Sequence, residues 1–143
     1  MNQTFIARAE VSINAPRANV WEALTRPELI KQYLFGTDVT TDWRVGSPIT
    51  YRGEWEGKAY EDKGRVVRVE PERVLVSTFW SSLSGLPDVP ENYKTVTYEL
   101  SAQDGGTKVM LTQDNNATRE EADHSEQNWR IVLDKLKELL ERE

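Results

Sequence analysis

Cysteine is absent from this 143-residue chain. Disulfides, thiol catalysis and zinc–cysteine sites are therefore excluded. Histidine is nearly absent, with His124 standing alone. A Ser-His-Asp relay needs a histidine buried beside a nucleophile, and on a helical wheel His124 falls off the apolar stripe, near Ile131. An exposed, non-catalytic His124 is expected. One His without Cys or clustered inward carboxylates also leaves too few ligands for a metal. Positive charge is not in excess. Eighteen Lys and Arg against 24 Asp and Glu give −6 and a pI near 5.0. Nucleic acid and anionic membrane both call for a basic face, so neither is an expected partner. No apolar run reaches the length of a membrane span. The polar Met1 end lacks the apolar segment of a secretory leader, and a cytoplasmic location is expected. There is no glycine-rich phosphate loop or nucleotide fingerprint, and no cofactor is expected. Internal repeats, low-complexity tracts and linkers are missing too, and the length suits one domain over residues 1–143.

What is present is best read from the C-terminal end. Thr118 to Arg142 contains no Gly or Pro and has strong helical periodicity. Thr118 and Glu121 have the spacing of a capping box, and Glu120, Glu121 and Asp123 suit the positive end of the helix dipole. The helix would run about 35 Å at 1.5 Å per residue. Its stripe is Ala122, Ser125, Trp129, Val132, Leu133, Leu136, Leu139 and Leu140. One half is small and the other bulky, with Trp129 at the transition. That asymmetry predicts a hollow beside the N-terminal half, although Ala122 and Ser125 could equally sit against a neighbouring backbone.

Upstream, Thr4 to Ile13 alternates as a half-buried strand. Pro16 suits a first helical position, ahead of a short helix over Arg17 to Leu24; Pro27 starts another, from Glu28 to about Tyr33. A brief strand fits Asp38 to Thr41. From Ile49 the alternation resumes, with Ile49, Tyr51, Gly53 and Trp55 on one side. Gly57 marks a turn. Ala59 to Val69 is a strand in which Gly64 predicts a bulge or bend. Glu70 to Arg73 is a tight turn. Val74 to Trp80 is a strand with apolar residues on both sides, so its inward face is left open. Ser81 to Glu91 carries Leu83, Leu86 and Val89 and is expected to act as a lid. Tyr93 to Leu100 and Thr107 to Asp114 flank the hairpin signal Asp104-Gly105-Gly106. Strands in succession with helices outside them make an α+β layout: six to seven antiparallel strands curved around the long C-terminal helix, with two short helices after the first strand.

Residues Ala15-Pro16, Val20-Trp21-Glu22-Ala23-Leu24, Pro27-Glu28-Leu29-Ile30 and Trp43-Arg44-Val45-Gly46-Ser47-Pro48 carry a resemblance. So do the Gly64-to-Trp80 hairpin with its Glu70-Pro71 turn, Asp104-Gly105-Gly106-Thr107 and the final helix with Trp129. Together they resemble the helix-grip (SRPBCC, START-like) superfamily. Within it, the chain looks most like bacterial single-domain relatives of the activator of a heat-shock-protein ATPase. The resemblance covers nearly the whole chain and implies a deep cavity between sheet and long helix. The motifs are mostly structural and carry no activity. The eukaryotic co-chaperone has a separate N-terminal domain that engages the chaperone. No counterpart is expected here, which counts against a chaperone partner.

Aromatics supply the candidate pocket. Five Trp and five Tyr against three Phe are rings with one polar group each. Tyr33, Tyr51, Trp55, Tyr60, Trp80, Gln113, Ser125 and Trp129 are the expected lining, aromatic walls with a few polar groups. The same residues could instead be plain core. The function expected is storage or carriage of an apolar or aromatic small molecule, lipid- or polyketide-like. Two alternatives stand beside it: a cyclase or hydrolase using a carboxylate, Tyr or His124 in the same cavity, and a chaperone- or stress-related interaction domain. No catalytic residue is singled out, and a homodimer is left open.

Overall fold

A computed structural model describes residues 5–55, 57–81 and 85–141, without the side chain of Trp55. Its strands are β1 (Phe5–Ile13), β2 (Asp38–Thr40), β3 (Pro48–Trp55), β4 (Lys58–Glu70), β5 (Val74–Phe79), β6 (Lys94–Gln103) and β7 (Gly106–Asn116). The helices are α1 (Arg17–Thr25), α2 (Pro27–Tyr33) and α3 (Arg119–Glu141). All seven strands form one antiparallel sheet in the order β1-β7-β6-β5-β4-β3-β2. The α+β helix-grip layout expected from the sequence is the observed one.

Residues paired across an antiparallel ladder share a face, so the register assigns the concave side. Ala9 faces Leu111, which faces Tyr98, which faces Leu75. Gln113 faces Val96, and Val96 faces Ser77. Tyr51 faces Asp62 on β4 and Val39 on β2. The alternation read from β1, β3, β6 and β7 is thus the concave face. The Asp104-Gly105 turn takes two positive φ values, 39° and 85°, the geometry a two-residue hairpin requires.

The bulge expected at Gly64 lies further on, between Val66 and Arg68. Gly64 itself stays in register opposite Ile49. It is glycine because a Cβ there would sit 1.7 Å from the Thr78 carbonyl oxygen. Pro16 precedes α1 as its extended cap residue, while Pro27 does begin α2.

Helix α3 lies along β1 and, less closely, β7, and it touches α1 and α2; its backbone makes at most a glancing approach to β2–β6. Thr118 Oγ1 accepts from the Glu121 N–H at 3.0 Å, and Glu121 reaches back to the Ala117 N–H at 3.1 Å. The box therefore closes one residue earlier than the usual pattern. Three α3 side chains also satisfy the open edge of β1. Glu126 accepts from the Arg8 N–H at 3.3 Å, Lys137 donates to the Ser12 carbonyl at 2.8 Å, and Glu141 accepts from the Asn14 N–H at 2.7 Å. An unpaired strand edge is an aggregation hazard, and here the helix covers it.

The core sits where α3 meets β1, β7 and the short helices. Ile13, Val20, Leu24, Val109, Leu111, Val132, Leu133 and Leu136 are almost wholly buried there.

Candidate functional site

The other half of the concave face, over β3 to β6, is built differently. Tyr51, Phe79, Tyr98 and Trp129 lie against the core cluster but keep part of their surface accessible. A ring on the inward side of a sheet keeps accessible area only where nothing is packed over it. The cause is geometric. Helix α3 lies against β1 and β7 rather than β3–β5, and the N-terminal half of its stripe carries only the small Ala122 and Ser125.

The wall can be followed residue by residue. Trp129 Nε1–H donates to Gln113 Oε1. The Trp129 ring meets Tyr98 edge-on, centroids 6.5 Å apart at 87°, a favoured aromatic geometry. The Tyr98, Tyr51 and Tyr33 phenols are near enough to influence one another's ionisation. The Ser77 hydroxyl lies beside the Tyr51 phenol, near enough to favour its ionised form, and Asp62 lies close by. Tyr33, from α2, is buried and donates to the Ala23 carbonyl at 2.8 Å. Tyr60 lies over Gly53, where a Cβ would meet its hydroxyl at 2.6 Å, and shares a 2.5 Å hydrogen bond with Thr37.

Burial raises the Tyr51 pKa to about 12, with the Asp62 carboxylate adding to the rise and Ser77 opposing it. Burial also pushes Tyr98 up, helped by Tyr51, and Tyr33 up, helped by Tyr98 and Tyr51. Ionising any of them would place a phenolate in a low-dielectric space. All three are neutral donors at physiological pH.

At the rim Lys94 binds the Asn115 carbonyl at 2.9 Å and Glu121 at 2.7 Å. This hydrogen bond from Lys94 holds the Glu121 carboxyl below its ordinary range. Asn116, fully buried, joins the same corner: its amide donates to the Phe5 and Gln113 carbonyls at 3.0 and 3.1 Å. Ser125 Oγ reaches Asn116 Oδ1 at 3.4 Å.

Of the residues expected to line a pocket, Tyr33, Tyr51, Gln113 and Trp129 are brought together. Tyr60 shares the concave face nearer β2, and Ser125 belongs to the rim. Trp55 has its backbone on β3 in the same register, but its side chain lies outside the described residues. Trp80 is a correction. With Leu75 and Ser77 inward, Trp80 falls on the convex side. There it stacks with Lys63, 5.9 Å from the ring centroid, and donates to the Leu86 carbonyl at 3.1 Å.

The segment expected as a lid is tied to that same convex corner. Asp88 pairs with Lys63 at 2.5 Å and accepts from the Tyr93 hydroxyl at 2.6 Å. Leu83 lies outside the described residues. Tyr98, Ser77, Phe79, Asp62 and Lys94 escaped the sequence reading as site residues. The aligned Val96, Tyr98 and Leu100 were the signal for Tyr98, whereas the face of β5 needed the register. His124 is exposed, as expected.

Two broad depressions exist elsewhere. One runs along the outside of α3 from Thr118 to Gln127; the other crosses Arg73, Glu99, Lys108 and Met110 on the convex side. Both are open; the first is lined by charged and polar side chains and the second by a mixture of charged and apolar ones, and neither involves the aromatic wall. Among the described residues no group of His, Asp or Glu is placed to hold a metal. No helix among them is long and apolar enough to cross a membrane.

The family model of the activator of Hsp90 ATPase homolog 1-like protein matches residues 14–141. The chain belongs to that family. No curated protein sequence matches it. Among solved structures it is similar to ChR145 from Cytophaga hutchinsonii, at 50% identity over 99% of this chain and 97% of that one, with a TM-score of 0.86. The Aha1 dimer from Colwellia psychrerythraea is 20% identical over 96% and 97%, with a TM-score of 0.72. Ara h 8.0201 is 12% identical over 96% and 98%, with a TM-score of 0.75. The last two show the shared fold alone.

Proposed function

We propose that the protein binds an apolar or aromatic small molecule between the concave face of β3–β6 and the N-terminal half of α3. The observation that carries this reading is the set of inward rings, Tyr51, Phe79, Tyr98 and Trp129, that keep accessible surface on the side of the sheet where a core would cover them. Small-molecule sites have this composition: aromatic walls with a few placed polar groups. The closed half of the molecule supplies the rigid frame.

A cyclase or hydrolase would need a general acid or base in the hollow. Asp62 beside Tyr51 is the group its geometry offers. Among the described residues the exposed large hydrophobics, Ile6, Phe35, Val45, Val67, Leu86 and Ile131, come from six separate segments of the chain, which gives an interaction role less support than the pocket.

The test uses the neutral dye N-phenyl-1-naphthylamine, with native mass spectrometry of the purified protein beside it. A saturable fluorescence rise at one dye per chain is expected. Ser77→Phe, which fills the hollow from β5, should abolish it while leaving the circular dichroism spectrum unchanged. An unsaturable signal, or one unaffected by Ser77→Phe and Ser125→Trp alike, contradicts the reading.

A further inference from the structure

Gln113 is 4% exposed and sits at the centre of the aromatic wall. Its amide orientation is not arbitrary. The Trp129 indole N–H can only donate, so the atom facing it must be the carbonyl oxygen, and the contact is Trp129 Nε1–H to Gln113 Oε1. That turns Nε2, with two N–H groups, the other way. Nε2 has no hydrogen-bond partner among the described residues. Yet among the described residues no fully buried side-chain nitrogen or oxygen lacks a partner. Nε2 must therefore reach space wide enough for a water molecule.

Tyr98 repeats the pattern. It lies on the same face, one strand over and diagonal to Gln113, since Val96 is the residue opposite Gln113. Its hydroxyl also has no partner among the described residues, and its ring is fixed against Trp129. Two uncharged donors thus stand without protein partners on one inward face, diagonal to each other across β6 and β7.

Resting on the binding reading above, we infer that Gln113 Nε2–H and Tyr98 O–H form a donor pair that selects ligands carrying an uncharged acceptor oxygen, a ketone, ester or quinone carbonyl on an aromatic or apolar frame. The charge distribution explains the preference for a neutral group. A buried carboxylate needs a cation. On this face of the described residues, Lys94 is held by Glu121, and Lys58 stands out at the exposed tip of the β3–β4 hairpin. Asp62 would repel an anion as well. A ligand with no acceptor would leave both donors dry, which a hydrogen-bonding site penalises.

The experiment compares 2-acetylnaphthalene, 2-ethylnaphthalene and 2-naphthoate by isothermal titration calorimetry on the full chain. These probes share a frame and differ in one group: neutral acceptor, apolar isostere, anion. The wild type should bind the ketone about 5- to 10-fold tighter than either of the others, the range expected of one or two net hydrogen bonds. Gln113→Leu should erase that preference while retaining the ethyl compound. Because Gln113→Leu also strands the Trp129 N–H, Tyr98→Phe serves as the second variant: it leaves that pair intact and should lower the preference by a few-fold. Equal binding of ketone and ethyl compound by wild type would mean the donors face only water. That overturns the inference and leaves the binding reading standing. Tightest binding of 2-naphthoate overturns it too. Binding of none of the three, with no dye binding, sinks both.

Discussion

The two halves of the interior are made by the same helix and the same sheet, yet they differ in kind. Beside the C-terminal half of α3, Val132, Leu133 and Leu136 meet Ile13, Val20 and Val109, all at 3% exposure or less. Away from that half, where the α3 stripe has only Ala122 and Ser125, the inward rings Tyr51, Phe79 and Tyr98 stay partly uncovered. The closed half is aliphatic and interlocked; the open half is aromatic, with hydroxyls and an amide on its walls. A change of side-chain size along one stripe, with a helix set over β1 and β7, is enough to produce both. Stability belongs mainly to one half, and binding is proposed for the other.

Truncation should separate them. Leu133→Ala removes a fully buried side chain from interlocked packing and should cost about 3–4 kcal/mol by urea denaturation. A cost under about 1 kcal/mol would mean that half is loosely packed. Trp129→Ala, at the boundary, should cost less, about 2–3 kcal/mol, because the ring is only part-buried and its partner Gln113 is left facing a wetted space. If Trp129→Ala cost more than Leu133→Ala, the open half would have to be core.

Tyrosine ionisation sharpens the contrast by pH. Tyr33, Tyr51 and Tyr98 have raised values in the folded state, against about 10 in the unfolded chain. Above pH 10 the unfolded state therefore holds fewer protons than the folded one, and stability falls as pH rises. Absorbance titration should show these three phenols silent through pH 11 until the protein unfolds. Smooth titration of all five tyrosines near pH 10 in the folded protein would contradict their placement. The smallest effect concerns the rim. Glu121 is held low by Lys94, so its contribution is present above about pH 4.5 and lost as pH falls through the lowered value. With 41% of the side chain exposed, Glu121→Gln should cost under about 1 kcal/mol near neutrality and flatten the acid limb of the stability profile.

Much of this was legible in the sequence, and the failures have physical causes. Alternation and helical periodicity announced the faces, so the inward direction of Tyr51, Gln113 and the α3 stripe with Trp129 was legible. Trp80 was misplaced because Val74 to Trp80 is apolar on both sides, and only the pairing of Leu75 with Tyr98 decides which residues turn inward. Gly64 was read as a bulge or bend because glycine in a strand has more than one meaning, and close backbone approach is invisible without the neighbouring strand. Tyr98 was not singled out, since alternation reports which side a residue faces and not whether that side is filled.

The most direct test of that difference is xenon under pressure, followed by amide chemical shifts, because xenon enters apolar cavities that are large enough and leaves packed regions alone. Saturable shifts clustered at Tyr51, Ser77, Phe79, Tyr98 and Trp129, with Val109, Leu133 and Leu136 unmoved, are the predicted result. No saturable shifts on the β3–β6 face, or shifts centred on Leu133 and Leu136, would contradict the account.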